Sequence, residues 1–165
     1  MKKTILTLIV GLTLISCSTQ NTVKEEGTKV IEKFITAVED LDIESLENLL
    51  DDNYINTGPN FGDSVEKTAT LENWKFNIDN LYKSIDFNKS QIVTLQIPKG
   101  ENKGEWISNL AELNIVYKNG EQACVWTNTI YQIENNKITK SITFYNEGDV
   151  YQQLGYMLVK EEIFS

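Results

Sequence analysis

Chemistry in this chain falls to carboxylates, hydroxyls, amides, lysines and two thiols, because its 165 residues include no His and no Arg. That excludes Ser-His and Cys-His nucleophile pairs, His-ligated zinc and an imidazole switch near neutral pH. It also excludes the guanidinium fork that grips phosphate or guanine. Asp51-Asp52-Asn53 gathers oxygens but lacks the spaced loop and trailing bidentate Glu of a calcium-binding hand, so no metal and no cofactor is expected. Cys124 sits in an expected strand without a His to activate it and reads as a small buried hydrophobe. Asp40 and Asp42 flank a helix turn, where capping accounts for Asp42. The remaining candidates are aromatic and amide: Tyr54, Trp74, Trp106, Trp126, Asn128, Tyr145 and Asn146. Either they line a pocket, as aromatic walls with a few polar handles, or they fill a core. The face parity of Trp126 and Asn128 stays open, since one bulge reverses it.

Fifteen lysines against 24 acids give a net charge of −9, which repels a phosphate backbone and argues against nucleic acid as a partner. The first residues carry an address. Met1-Lys2-Lys3 is a basic start, and residues 5–15 are an apolar run of about 16 Å as a helix, too short for a hydrocarbon core of about 30 Å. The pattern is a secretory signal peptide over residues 1–16. Leu14-Ile15-Ser16-Cys17 resembles a bacterial lipobox, with a small residue before the cut and a thiol after it. The alternative is an ordinary signal peptide with an incidental Cys. Lipidation at Cys17 implies a membrane-anchored protein of the bacterial cell envelope, and Ser18 after the Cys is similar to lipoproteins sent to the outer membrane. Residues 17–27 are then the lipidated Cys and a flexible tether reaching about 15–20 Å. The mature body, with 13 lysines against 24 acids, is expected to stand off an anionic surface.

Stepping along the body, residues 28–165 read as one domain. Val30, Ile31, Phe34, Ile35, Val38 and Leu41 form one helical face, and Asp42 opens a second short helix carrying Leu46, Leu49 and Leu50. Residues 56–60 are dense in turn formers. A capping-box-like start at Asp63 leads to a third helix through Leu71, Trp74, Ile78, Leu81, Tyr82 and Ile85. The period then changes to strands at 91–97, 106–117, 124–133 and 138–145, with a type I′ hairpin expected at Asn119-Gly120. A closing helix is expected over 150–162. The fold class is α+β, with about four sequential antiparallel strands.

Three segments carry a family likeness: residues 30–46, VIEKFITAVEDLDIESL; the hairpin at 129–138, TIYQIENNKI; and residues 145–155, YNEGDVYQQLG. In this order they resemble the nuclear transport factor 2-like superfamily, in particular its SnoaL-like members. The resemblance implies a cone-shaped curved sheet wrapped around the N-terminal helices, with a C-terminal helix and a pocket for a small apolar ligand. Family enzymes place an Asp in that cone, and the matching position, seven residues before Gln153, is Asn146. An amide orients a carbonyl or water but takes no proton, so no catalytic residue is assigned. The expected function is a small-molecule-binding or accessory module. Two alternatives stand beside it: a cofactor-free isomerase, dehydratase or cyclase using a pocket carboxylate and Tyr, and a homodimer that buries its sheet face against a twin.

Overall fold

A computed structural model describes residues 15–157 and Val159, with side chains from Glu25 onward. The expected signal peptide up to residue 14, and residues 158 and 160–162 of the expected closing helix, lie outside the described residues. None of the described helices is long and apolar enough to cross a membrane.

Helix α1 spans Ile15–Glu39. Its backbone is helical through 18–27, where a flexible tether was the expectation. Gly27 is part of the packing: a Cβ there would stand 2.6 Å from Ile107 Cδ1, so the missing side chain lets the helix approach the sheet. The helix ends where Leu41 takes φ +55°, and the Asp42 N–H returns to the Ala37 carbonyl at 2.9 Å. Asp42 then caps α2, Ile43–Leu49, as its spacing predicts, accepting from the Ser45 N–H at 3.1 Å and the Ser45 hydroxyl at 2.6 Å. Those two bonds hold its carboxyl below the usual value.

Six strands follow instead of four: β1 Leu50–Thr57, β2 Ser64–Glu66, β3 Tyr82–Ile97, β4 Gly104–Tyr117, β5 Gln122–Glu134 and β6 Lys137–Tyr145. They form one sheet in the order β2-β1-β6-β5-β4-β3. β3 to β6 pair sequentially and antiparallel as expected, but β1 pairs with β6 in parallel, a contact that no local pattern announces. Helix α3, Lys67–Asn80, is shorter than expected at both ends. Ser64 to Glu66 pair with β1, so the anticipated capping box is a strand, and Tyr82 and Ile85 belong to β3. Lys118 N–H donates to the Leu81 carbonyl at 2.8 Å and fixes the corner between α3 and β3. The Asn119-Gly120 turn forms, but only Gly120 has positive φ, which makes it a type I turn with a left-handed Gly. The type I′ geometry occurs instead at Asn135 and Asn136, with φ +51° and +59°.

Helix α4 is Glu147–Gln153, starting earlier and ending earlier than expected. Gly155 N–H bonds to the Gln152 carbonyl and Tyr156 N–H to the Tyr151 carbonyl, which closes the helix at Gly155 with φ +82°.

Against the concave face of the sheet, α1 buries Val30, Ile31 and Phe34 on Leu50, Tyr54, Ile107, Tyr131 and Ile138. Helix α3 touches both β1 and β3, and so bridges the gap where the sheet curls open. The narrow end of the cone is core. Its wide end is a cavity.

Candidate ligand site in the cone

The cavity has a volume of about 710 Å³, and all seven tyrosines of the chain line it. Strand parity puts them there. Along β5 the odd residues Val125, Thr127, Thr129 and Tyr131 face the cone, and β4 contributes Leu113, Ile115 and Tyr117. In β3 the inward residues Ile85 and Phe87 precede a bulge between Asn88 and Gln91, where Lys89 has φ +50°. Beyond it parity switches, and Ile92 packs on the core.

Tyr54 and Tyr131 lie deep, each 4% exposed. Tyr54 Oη is 2.7 Å from Ser141 Oγ, which donates to Asn56 Oδ1 at 2.7 Å. Ser141 has one proton, and the amide oxygen takes it, so Tyr54 must be the donor to Ser141. Its own proton is committed, and only lone pairs remain for a ligand. Burial pushes the Tyr54 phenol up to about 12, and its hydrogen bond with Ser141 offsets part of that rise. Burial likewise drives Tyr131 well above its ordinary value. Thr129 and Thr143 hydroxyls meet at 3.1 Å on the same wall. Thr70, on α3, also lines the cone, and its buried hydroxyl is the single side-chain polar atom of that kind left without a partner among the described residues.

The mouth lies between the end of α3, the β4–β5 hairpin and α4. Tyr82, Tyr117, Tyr145 and Tyr151 stand there, with Glu121 and Glu147 as the charged groups of the lining. Helix α4 is held by Gln153, whose side-chain amide accepts from the Cys124 N–H at 2.9 Å and donates to the Cys124 carbonyl at 2.8 Å. β6 pairs with β5 only as far as Thr127, so this amide takes the place of the absent neighbouring strand.

Of the residues singled out from sequence, Tyr54, Trp74 and Tyr145 line the cone. The other four do not. Trp106 is buried with its indole N–H on the Asn102 carbonyl at 2.8 Å. Trp126 and Asn128 take the even parity of β5 and point to the convex face. There Lys89 sits 5.7 Å above the Trp126 ring, and Asn128 accepts from the Ser108 hydroxyl at 2.7 Å. Asn146 is the N-cap of α4, accepting from the Asp149 N–H at 3.2 Å, so capping accounts for an amide at this position. Cys124, expected buried, is exposed on the convex side. The oxygens at 51–53 serve local bonds: Asp51 accepts from the Asn53 N–H and Asp52 pairs with Lys67 at 3.0 Å. Sequence reasoning missed Tyr82, Tyr117, Tyr131, Tyr151 and Thr70; for Tyr131, alternation from Val125 through Thr127 was the available signal.

Neither family models nor curated proteins match the sequence. Solved structures do. A candidate polyketide cyclase from Xanthomonas campestris is 13% identical over 79% of this chain and 98% of that one, with a TM-score of 0.64. A candidate SnoaL-like polyketide cyclase from Shewanella denitrificans is 10% identical over 78% and 96%, with a TM-score of 0.63. An LEH-like epoxide hydrolase from M. tuberculosis is 14% identical over 79% and 90%, with a TM-score of 0.56. At this identity the likeness speaks to architecture alone: the chain has the α+β fold of the SnoaL-like polyketide cyclases, a curved open sheet with a cone.

Proposed function

We propose that the protein binds a small, partly apolar molecule in the cone and does so as a lipid-anchored module of the bacterial envelope. The observation that carries the reading is the open, tyrosine-lined cavity of about 710 Å³ whose interior holds hydroxyls and amides, with carboxylates only at the mouth. An orphaned buried hydroxyl at Thr70 supports it, since a ligand carbonyl or hydroxyl would complete that group. The neighbours in fold, candidate cyclases and an epoxide hydrolase, act on small organic molecules by name, which agrees with a pocket of this kind. The anchor rests on Cys17 and its preceding residues. Because α1 meets the sheet at Ile107, ten residues along β4 from Tyr117 at the mouth, such an anchor would hold the opening away from the lipid.

The test is calorimetric titration of the full chain with an uncharged two-ring aromatic alcohol, beside a Thr129→Trp variant that fills the cone. Saturable binding abolished by the substitution is expected; an affinity indifferent to it would place the ligand elsewhere. A second reading, a cofactor-free isomerase, dehydratase or cyclase, is favoured by Glu147 standing at the mouth within 3.5 Å of the Tyr151 hydroxyl. It requires turnover that Glu147→Gln removes. A homodimer is favoured by the convex face, where Trp126 and Phe144 are 52% and 56% exposed.

A further inference from the structure

We propose that the mouth of the cone receives an organic ammonium group, the ligand placing its cationic head there and its apolar body inside. This rests on the binding reading above and names the ligand's charge. Trp74, Tyr82 and Tyr117 form a continuous aromatic wall, with ring centroids 6.3 Å apart for the first pair and 5.9 Å for the second. Tyr145 lines the same opening. Two carboxylates, Glu121 and Glu147, share the rim, and no lysine lines the cavity among the described residues.

Neither carboxylate is in an ion pair among the described residues. Glu121 accepts from the Asn119 side chain at 2.6 Å and Glu147 from the Tyr151 hydroxyl at 3.5 Å, both neutral donors. Their charge is therefore uncompensated, in a chain whose net charge is already −9. The neighbouring phenols register that field. Burial first, then Glu147, then the Tyr151 and Tyr117 phenols push Tyr145 up to about 12. An anion would meet two like charges and no donor cation. A neutral ligand would leave both carboxylates unused. A quaternary or alkylated ammonium suits the place best, because its diffuse charge is attracted by aromatic faces and needs few directional hydrogen bonds.

The experiment titrates the full chain with benzyltrimethylammonium, with its neutral carbon isostere neopentylbenzene, and with phenylacetate, each followed by calorimetry. The cation is expected to bind on the order of tenfold tighter than the isostere, and phenylacetate not at all. In the Glu121→Gln/Glu147→Gln double variant that preference should shrink severalfold while the isostere's affinity holds. Equal affinities for cation and isostere would overturn this inference and leave the binding reading standing. A preference that survives the double variant would also overturn it, by placing the charge elsewhere. Absence of binding by the cation and the isostere alike would overturn this inference too, while the two-ring alcohol and the Thr129→Trp variant decide the binding reading separately.

Discussion

Along β5 the side chains part to two faces of different character. Val125, Thr127, Thr129 and Tyr131 point into the cone, while Trp126, Asn128 and Ile130 point out. The concave face carries most of its aromatic area on tyrosines, each with a hydroxyl that water or a ligand can satisfy. Apolar area on the convex face comes from Val93, Leu95, Leu110, Trp126 and Phe144, all more than a third exposed. A wet cavity tolerates the first kind of surface, whereas the second is relieved only by contact with another apolar body. One sheet thus presents a face suited to a small molecule and a face suited to a macromolecular surface.

The largest expected effect lies on the concave side and is alkaline. Burial pushes Tyr54 and Tyr82 from an ordinary value of 10 up to about 12. Below pH 10 both folded and unfolded chains keep these protons, and stability is unaffected. Above pH 10 the unfolded chain ionises first, so stability falls by about 1.4 kcal/mol per pH unit for each group. The loss continues to about pH 12, where the folded phenols ionise too. Across the pair this reaches roughly 5 kcal/mol, comparable with a whole domain's stability. Phenolate absorbance and circular dichroism should therefore change together; phenols that titrate near pH 10 with the fold intact would show the cone to be fully wetted.

Next in size is Tyr131→Ala. Tyr131 is buried and meets Phe34 edge-on with ring centroids 5.7 Å apart, at the floor of the cavity where α1 packs. Removing an aromatic ring from such a site costs about 3–5 kcal/mol, read as a lower denaturant midpoint. A loss under about 1 kcal/mol would mean that the cavity already extends to this depth and that the floor is not core.

The sequence made the convex and concave faces legible only in part. Turn chemistry is local, so the strands from Gly104 to Tyr145 could be placed within a few residues, and the helical face of Val30, Ile31 and Phe34 likewise. The α3–β3 corner misled because Tyr82 and Ile85 are spaced as one helical face, yet both point into the cone from a strand. Strand β1 was hidden for another reason: its partner β6 lies 85 to 88 residues away in parallel, and its run of Asp51, Asp52 and Asn53 lacks alternation. Trp126 and Trp74 are equally aromatic in sequence; only the parity of the strand and the turn of α3 separate a convex residue from a cavity wall.

Gln153→Ala should have a smaller effect on the fold, about 1 kcal/mol, since solvent can replace a side-chain bond at an open strand edge. Its effect on the mouth should be larger than that number suggests. Gln153 holds α4 to Cys124, and α4 carries Val150 and Tyr151 into the lining. A variant with nearly normal stability but severalfold weaker binding of the cone's probe is expected. Unchanged binding would mean that Val150 and Leu154, packed on Ala123 and Val125, seat the helix without the amide.

On the convex face the smallest effect on the folded chain is the informative one. Trp126 is half exposed, with Lys89 above its ring and Glu112 paired to Lys89 at 2.5 Å. That cluster is solvent-facing, so its ion pair contributes little to stability. Trp126→Ser should shift the unfolding midpoint by no more than about 0.5 kcal/mol and leave the cone's affinity as it is. If two copies meet through this face, the same substitution removes a central aromatic anchor from both sides of a self-complementary contact, and each loss counts twice. Sedimentation should then show a dimer that dissociates at concentrations where the unsubstituted chain stays paired. A chain that sediments as a monomer before and after the substitution would leave the convex face to a different macromolecule, while the concave face and its ligand stand unaltered.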